Sequence, residues 1–290
     1  MNKRMLVAGL VVGAAAHAAG PVILFEPKVG QFREAATAAQ ALLPSLEVDV
    51  ADAAALGKLS EATVVIAIGQ RAFQLAVEKV PKSPIVFCLA LGVTREQLKE
   101  NITGVPFEPD PLVSVAMLQE VAPGAKRIGM IYNPAASEWF ASEALRASNA
   151  AGVTLVLRTA ASPQEARDAS KVMLQVSQAL WLPPDPKLFP KDLVLFFLTA
   201  SAERSKPVIG FLDSMAQSGA LAALVTDFAE SGRRAGRLAA EINSRPEGHR
   251  LPVPAPTWAP GKLILNLKTA ETLNIKPTPA AETQASQVLK

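Results

Sequence analysis

The feature that most constrains the fold of this chain is an apolar run, rich in β-branched residues, that returns about every twenty residues. Continuous runs of this kind are typical of parallel strands covered on both faces. The runs are Val22–Phe25, Leu46–Val50, Thr63–Ile68, Ile85–Leu91, Arg127–Tyr132, Val153–Leu157, Ala179–Leu182 and Val208–Leu212. Stretches with helical spacing separate them, so the chain predicts an α/β fold with doubly wound parallel sheets.

The strand-helix pattern occurs twice, which indicates two lobes rather than one long sheet. We expect lobe 1 over residues 19–107 and lobe 2 over 108–214, because the prolines of 107–111 interrupt the pattern between them. A further strand is predicted near 220–225. The tail 276–290 is polar and rich in small residues, and we expect it to be disordered.

Local signals place two helices of the second lobe. Ser162-Pro163-Gln164-Glu165 forms a capping box with proline at the first helical position. The preceding helix is predicted to start near Ser137 and to end before Gly152, since glycine commonly terminates helices.

The N-terminus resembles a secretory leader. Lys3 and Arg4 precede an uncharged stretch over 5–16 and an Ala16-His17-Ala18 cleavage site, which predicts a removed signal peptide at 1–18 and a periplasmic location. No cysteine stands at that site, so no lipid anchor is expected. Loss of Lys3 and Arg4 lowers the net charge from +3 to +1, which argues against nucleic acid as a partner.

Residues that usually carry catalysis are scarce after the leader. His249, in a polar segment, is the one remaining histidine, and Cys88 is the one cysteine of the chain. No zinc cluster, G-x-S-x-G elbow or P-loop is present in the sequence, so we expect no cofactor and no enzyme activity. Carboxylates at strand ends still leave a periplasmic enzyme open as an alternative.

Polar residues follow several predicted strands, at the edge where open parallel sheets bind ligands. The candidate ligand-binding residues are Phe25, Glu26, Gly69, Gln70, Arg71, Asn133, Asp185 and Asp213. Helix N-termini nearby suit an anion, the aspartates suit an amine or hydroxyl, and the Phe25 ring could stack on a flat ligand. Asn133, Asp185 and Asp213 also suit helix caps, and Arg71 also suits a solvated helix start.

Several segments together resemble the ABC-transporter substrate-binding family that includes tryptophan- and tyrosine-uptake binding proteins. They are Asn101-Ile102-Thr103-Gly104-Val105, Pro123-Gly124-Ala125-Lys126-Arg127-Ile128-Gly129, Tyr132-Asn133-Pro134, Leu182-Pro183-Pro184-Asp185, Lys206-Pro207-Val208-Ile209-Gly210, Gly219-Ala220-Leu221-Ala222 and Leu265-Asn266-Leu267-Lys268-Thr269-Ala270. The combination covers nearly all of the chain after the leader.

The resemblance implies a type I periplasmic-binding-protein fold whose two lobes close on a small-molecule ligand for delivery to an inner-membrane ABC permease, and an amino acid is one candidate class of ligand. It also implies that residues 215–250 return to lobe 1 and residues 251–275 to lobe 2. We expect a monomer. Departures from the family pattern at Gln70-Arg71 and at Cys88–Gly92 argue against an aromatic ligand and keep open a sensing partner of a kinase or outer-membrane receptor.

Overall fold

The computed structural model describes residues 20–290, so the predicted leader at 1–18 lies outside the described residues. Two separate sheets organise the described chain, one of five strands and one of seven. The prediction of an α/β fold with two parallel-sheet lobes is therefore confirmed.

Lobe 1 is built on a wholly parallel sheet with helices on both faces. Its strands are β1 (Val22–Phe25), β2 (Leu46–Asp49), β3 (Val65–Ile68), β4 (Ile85–Cys88) and β5 (Ile102–Val105). Its first helices are α1 (Gly30–Gln40), α2 (Ala53–Leu56) and α3 (Gln70–Lys79). The strand order is β2-β1-β3-β4-β5, and every residue of β1, β3, β4 and β5 is buried. That burial explains the continuous apolar runs of the sequence.

Lobe 2 follows with a longer run of alternating helices and strands. They are α4 (Pro111–Val121), β6 (Arg127–Tyr132), α5 (Pro134–Ala150), β7 (Thr154–Thr159), α6 (Pro163–Val176), β8 (Ala179–Trp181), α7 (Lys191–Ala202), β9 (Val208–Gly210), α8 (Asp213–Gln217) and β10 (Ala222–Thr226). The chain closes with α9 (Phe228–Ser244), β11 (Gly261–Asn266), α10 (Leu267–Thr272), α11 (Pro279–Gln284) and β12 (Gln287–Leu289). The strand order is β12-β11-β10-β9-β8-β6-β7, with β10 and β11 antiparallel.

Helix α9 leaves lobe 2 and packs on lobe 1, against α1. A methyl group placed on Gly232 would lie 2.1 Å from the carbonyl oxygen of Ala35, and one on Gly236 would lie 2.9 Å from that of Ala39. Only glycine allows so close an approach of two helix backbones. Strand β10 stays in the second sheet, however, so the prediction that all of 215–250 returns to lobe 1 is wrong for its first part. The apolar run of β10 could not reveal which sheet it joins.

The C-terminal tail is ordered, and the prediction of disorder over 276–290 is wrong. Thr278 caps α11 by accepting the N–H of Ala281, whose side chain is fully buried. Strand β12 then pairs in parallel with β11, with Ile264 opposite Gln287. The prediction of disorder rested on composition, which does not detect β12 because backbone hydrogen bonds to β11, rather than apolar side chains, hold this strand.

The family-like segment Asn101–Val105 has a structural role. The Asn101 amide donates to the carbonyls of Pro81 and Ser83, which ties the start of β5 to the turn before β4. Gly104 lies so close to β4 that a methyl group there would meet the Phe87 carbonyl oxygen at 2.1 Å. The N-x-T-G-V segment therefore fixes an edge strand rather than touching a ligand itself.

Among residues 20–290, no helix combines the length and apolar character that a bilayer span requires. Cys88 is buried in lobe 1, and burial raises the pKa of its thiol well above the ordinary range. Its thiol is therefore protonated and packs as a small apolar side chain.

Candidate functional site

The carboxyl ends of the two sheets carry loops that meet between the lobes. We call the loops after β1, β3, β4 and β5 the lobe 1 rim, and the loops after β6, β8 and β9 the lobe 2 rim. A methyl group placed on Gly92 would lie 3.2 Å from the carbonyl oxygen of Ala135, at the start of α5. Trp139 of α5 packs against the lobe 1 cluster that contains Phe87 and Ala90. The two rims therefore face one another.

An ion pair also spans the lobes. Arg95, beyond β4, pairs with Glu143 of α5, and the same carboxylate pairs with Arg146. The Arg95 side chain is half-exposed, so this contact lies at the outer edge of the cleft.

Gly69 shapes the lobe 1 rim through its backbone. Its φ is +91° and its ψ is 160°, a conformation essentially restricted to glycine. A methyl group on it would lie 2.6 Å from the Phe32 ring, and its N–H donates to the Cys88 carbonyl at 2.8 Å. Helix α3 consequently starts without a side-chain cap, which leaves a positive helix end at the rim.

Gln70 is the first residue of α3, and its side-chain oxygen Oε1 is buried without a hydrogen-bond partner. Buried polar atoms are normally hydrogen-bonded, and an orphaned one in a functional cleft points to a missing ligand or water. Gln70 therefore stays a candidate for ligand binding.

Glu26 and Arg71, both predicted as ligand contacts, pair with one another. Arg71 donates to Glu26 Oε1 at 3.2 Å, and both side chains are at least one-third exposed. The Glu26 carboxylate and the Arg71 guanidinium are thus already paired within lobe 1, and neither needs a ligand group to neutralise its charge.

Phe25 lies in the core rather than on the rim. Its side chain is fully buried in the cluster that contains Ala35 and Ala39, and the Arg33 guanidinium covers the ring at 4.8 Å from its centroid. The prediction that Phe25 stacks on a ligand is therefore wrong, because the Arg33 guanidinium already covers that face of the ring. The sequence missed this because Phe25 ends an apolar strand and borders the polar Glu26.

Asn133 and Ser137 form the first turn of the lobe 2 rim. The Asn133 side chain caps α5 by accepting the Ala135 N–H at 3.0 Å. Ser137 lies outside helical dihedrals, with φ −136° and ψ 16°, and its hydroxyl is buried without a partner. The helix predicted to start near Ser137 thus starts at Pro134 and is kinked at Ser137. That kink gives an unpartnered hydroxyl which the sequence did not single out.

Tyr132 is the last residue of β6, just before this turn, and its hydroxyl donates to Glu138 Oε2 at 3.0 Å. Partial burial and this hydrogen bond raise the pKa of Tyr132. The phenol therefore remains a neutral hydrogen-bond donor at physiological pH.

Asp185 is the most buried of the predicted aspartates, with 4% of its surface exposed. Its Oδ1 accepts the backbone N–H groups of Lys187 and Leu188 at 3.1 and 3.0 Å. Its Oδ2 is buried and has no partner. One oxygen thus builds the turn, and the other remains available to a ligand.

Asp213 differs, because it is exposed and starts the short helix α8. Its Oδ1 accepts the N–H of Ser214 at 2.9 Å. The structure gives it a local turn role and no buried, unmet hydrogen bond.

Glu108 is a buried acid that sequence reasoning did not single out. It lies three residues beyond the end of β5 in lobe 1 and is 6% exposed. Burial raises the pKa of Glu108 to about 8, its own backbone N–H opposes the shift, and the negative charge of Asp185 adds to it. The signal that could have found it is an acid shortly after a strand, but the prolines of 107–111 were interpreted only as the boundary between the lobes.

The arrangement is suited to binding by hydrogen bonds and charge. Unpartnered buried oxygens lie on both rims, from Gln70, Ser137 and Asp185. In the described part of the chain, no group of three or more His, Cys, Asp or Glu side chains is placed to hold a metal. His249 lies in an exposed turn after α9.

Comparisons with solved structures find the same fold in binding proteins. A domain from Streptococcus pneumoniae in complex with L-Trp matches at 19% identity with a TM-score of 0.61, over 93% of this chain and 100% of that chain. The ligand-free, open substrate-binding protein CD0873 of Clostridium difficile matches at 17% identity with a TM-score of 0.64, over 94% and 99%. A periplasmic ribose ABC transporter protein of Conexibacter woesei matches at 14% identity with a TM-score of 0.50, over 93% and 99%. At these identities the likeness shows the fold alone.

No curated protein matches the chain in sequence. The model of one protein family, described as ABC transporter substrate binding protein, matches residues 46–289. That match covers most of the chain, from β2 to β12, and includes Gln70, Ser137 and Asp185. The chain therefore belongs to the ABC transporter substrate-binding protein family.

Proposed function

We propose that this protein captures a small organic solute, in the size class of an amino acid, between its two rims and delivers it to an inner-membrane ABC permease. The observation that carries the proposal is the set of buried, unpartnered oxygens on both rims, at Gln70, Ser137 and Asp185. A ligand that satisfies them gains hydrogen bonds that the empty protein cannot make. The L-Trp complex of the Streptococcus pneumoniae domain supports the size class.

The proposed mechanism is a shift between open and closed arrangements of the lobes. Because Gln70 belongs to lobe 1 and the other two oxygens to lobe 2, one ligand meets all of them only when the lobes are closed. A ligand that binds the closed state more tightly shifts the population toward it. We propose that the start of α3, which has no side-chain cap, binds an anionic group of the ligand.

A ligand screen tests capture directly. Purified protein is melted with single metabolites, including amino acids, amines, organic acids and sugars, and the hits are measured by X-ray scattering for closure. A ligand at one hundred times its Kd adds about 2.7 kcal/mol to the free energy of unfolding, which gives a clear rise in Tm. No rise from any compound, with no decrease in radius of gyration, would contradict capture.

Export and partnership are part of the same proposal. We propose cleavage after Ala18, release into the periplasm without a lipid anchor, and action as a monomer beside a permease. N-terminal sequencing of the protein from a periplasmic extract should start at Ala19. A start at Met1 in the cytoplasmic fraction would contradict this location.

A further inference from the structure

Trp139 of α5 reaches from lobe 2 into lobe 1. Its neighbours on the helix, Phe140 and Ala144, are buried in the lobe 2 core. The Trp139 side chain packs instead against the lobe 1 cluster that includes Phe87 and Val93. Because tryptophan carries a large apolar surface, one side chain supplies a substantial apolar contact between the lobes.

The lobe 1 segment that follows β4 is apolar and fixed in shape. Cys88, Leu89 and Ala90 are buried. Leu89 has a φ of +54° and Gly92 a φ of +71°. A non-glycine residue keeps such a left-handed conformation only where its surroundings determine it. The apolar segment Cys88–Gly92, which departs from the family pattern in sequence, therefore forms a rigid surface beside Trp139.

Two more contacts join this segment to α5. A methyl group on Gly92 would lie 3.2 Å from the Ala135 carbonyl oxygen, so a side chain at this position would crowd the start of α5. Arg95 pairs with Glu143 one turn beyond Trp139. One helix of lobe 2 thus meets the segment after β4 through apolar, backbone and ionic contacts, all made by protein atoms.

Trp139 also contacts the crossover between α9 and β11. Its ring centroid lies 4.9 Å from that of Trp258. The crossover is tied to lobe 1, because the Thr257 N–H donates to the Gly104 carbonyl at 3.0 Å and Arg234 of α9 donates to the Trp258 carbonyl. Trp139 therefore packs against elements held by lobe 1 both at the rim and at the crossover.

We propose that Trp139, docked on the segment Phe87–Val93, holds the lobes mainly closed before any ligand binds. This inference rests on the proposed motion between open and closed arrangements. Ligand binding then increases a closed population that is already the larger one. The contact is separable, because Trp139 is only partly buried and the Arg95 side chain is half-exposed. A solute enters during brief openings, so the rate of opening limits capture.

X-ray scattering of the protein without ligand tests the inference. The protein is first unfolded in guanidinium chloride, dialysed and refolded, so that no solute carried through purification joins the lobes. We expect the curve calculated from the structure to fit the unaltered protein. Trp139→Ala should increase the radius of gyration, because the ion pair and the Gly92 contact are too weak to keep the lobes together.

Three further variants separate the latch from general effects of substitution. Trp139→Phe keeps an aromatic ring and should stay close to the unaltered radius. Trp139→Gln replaces the ring by a flexible polar side chain and should expand the protein as Trp139→Ala does, so it serves if the alanine variant does not fold. Leu145→Ala removes an apolar side chain of the same helix that packs on the lobe 2 core, and it should leave the radius unchanged.

The outcomes distinguish this inference from capture. An unaltered protein as expanded as Trp139→Ala overturns the inference, and the ligand screen still decides capture. Equal compactness in the unaltered protein, Trp139→Ala and Trp139→Gln also overturns it, because other contacts then hold the lobes. If the expected radii are found and no compound raises the Tm, capture is contradicted while the closed resting state stands.

Discussion

The two rims of the cleft are shaped by different means. The lobe 1 rim turns through backbone conformations, with positive φ at Gly69, Leu89 and Gly92. The lobe 2 rim turns through side-chain oxygens, since Asn133 and Asp185 accept the N–H groups of the residues that follow them. The lobe 1 rim therefore offers backbone N–H groups, whereas the lobe 2 rim offers carboxylate oxygen. The two rims together would suit a ligand with an anionic and a cationic end.

The largest expected effect is on the pH dependence of stability and concerns Glu108. This buried acid lies just beyond β5, so lobe 1 as well as lobe 2 carries a buried carboxyl group near its rim. Its folded pKa of about 8 lies above the ordinary value of 4.5, so the folded protein keeps a proton that the unfolded chain loses between these values. The free energy of unfolding should fall as pH rises from 4.5 to 8, by on the order of 5 kcal/mol, and change no further above 8. Urea unfolding across this range should show a much flatter profile in Glu108→Gln. An equal slope in both proteins would contradict the assignment.

The second prediction concerns stability and tests the lobe 1 rim, whose turn after β3 depends on Gly69. Gly69→Ala places a methyl group 2.6 Å from the Phe32 ring at a φ of +91°, and we expect a loss of about 3 kcal/mol in the free energy of unfolding. Gly124→Ala is the matched control, because nothing lies within 4 Å of its Cβ position. Denaturant titration of both variants checks this. A Gly69→Ala protein as stable as the control would show that the lobe 1 rim does not depend on this backbone conformation.

Substitutions in the lobe 2 rim should reduce the free energy of unfolding by smaller amounts, and these amounts should differ between its two aspartates. Asp185→Ala removes the acceptor of two N–H groups, one of them buried, so we expect a loss of about 2 kcal/mol in the free energy of unfolding. Asp213→Ala removes one exposed local hydrogen bond and should change stability by less than about 0.5 kcal/mol. Thermal unfolding of both proteins under one buffer distinguishes them. Equal losses of stability in the two variants would mean that the burial of Asp185 does not make its turn more important for stability than the exposed turn of Asp213.

The smallest effect concerns the contact that joins the rims. Arg95→Ala removes the ion pair with Glu143 across the lobes, and the half-exposed pair should be worth about 0.5 kcal/mol. Ligand affinity should fall about twofold at low salt, and the difference should vanish at 1 M salt because exposed charges are screened. Lys171→Ala, which removes a pair within α6 alone, should leave affinity unchanged. A loss in Arg95→Ala that persists at high salt would mean that the side chain acts through packing.

Sequence patterns predicted most of the lobes because their strands are buried on both faces. β1, β3 and β4 are uninterrupted apolar runs, whereas β5 was missed because Thr103 and Gly104 break its run. Strand β12 was missed for the related reason that a short edge strand needs few apolar side chains.

The site was predictable only where position along a strand determines chemistry. Asp185 and Gln70 were found because they follow strands, and Asp213 was grouped with them by the same criterion. Their difference in burial depends on neighbours far along the chain, as does the burial of Glu108 between prolines. Local sequence shows which residues reach a rim, but it does not show which atoms are left without partners.

The packing of α9 on α1 has a consequence for the order in which the protein can fold. The first sheet is complete in sequence at Val105, yet the helix that seals its face ends at Ser244, and the second sheet needs residues up to Leu289. A nascent chain held at residue 227 therefore contains every strand of lobe 1 with an uncovered apolar face. We therefore expect lobe 1 to complete its packing only after α9 has been synthesised.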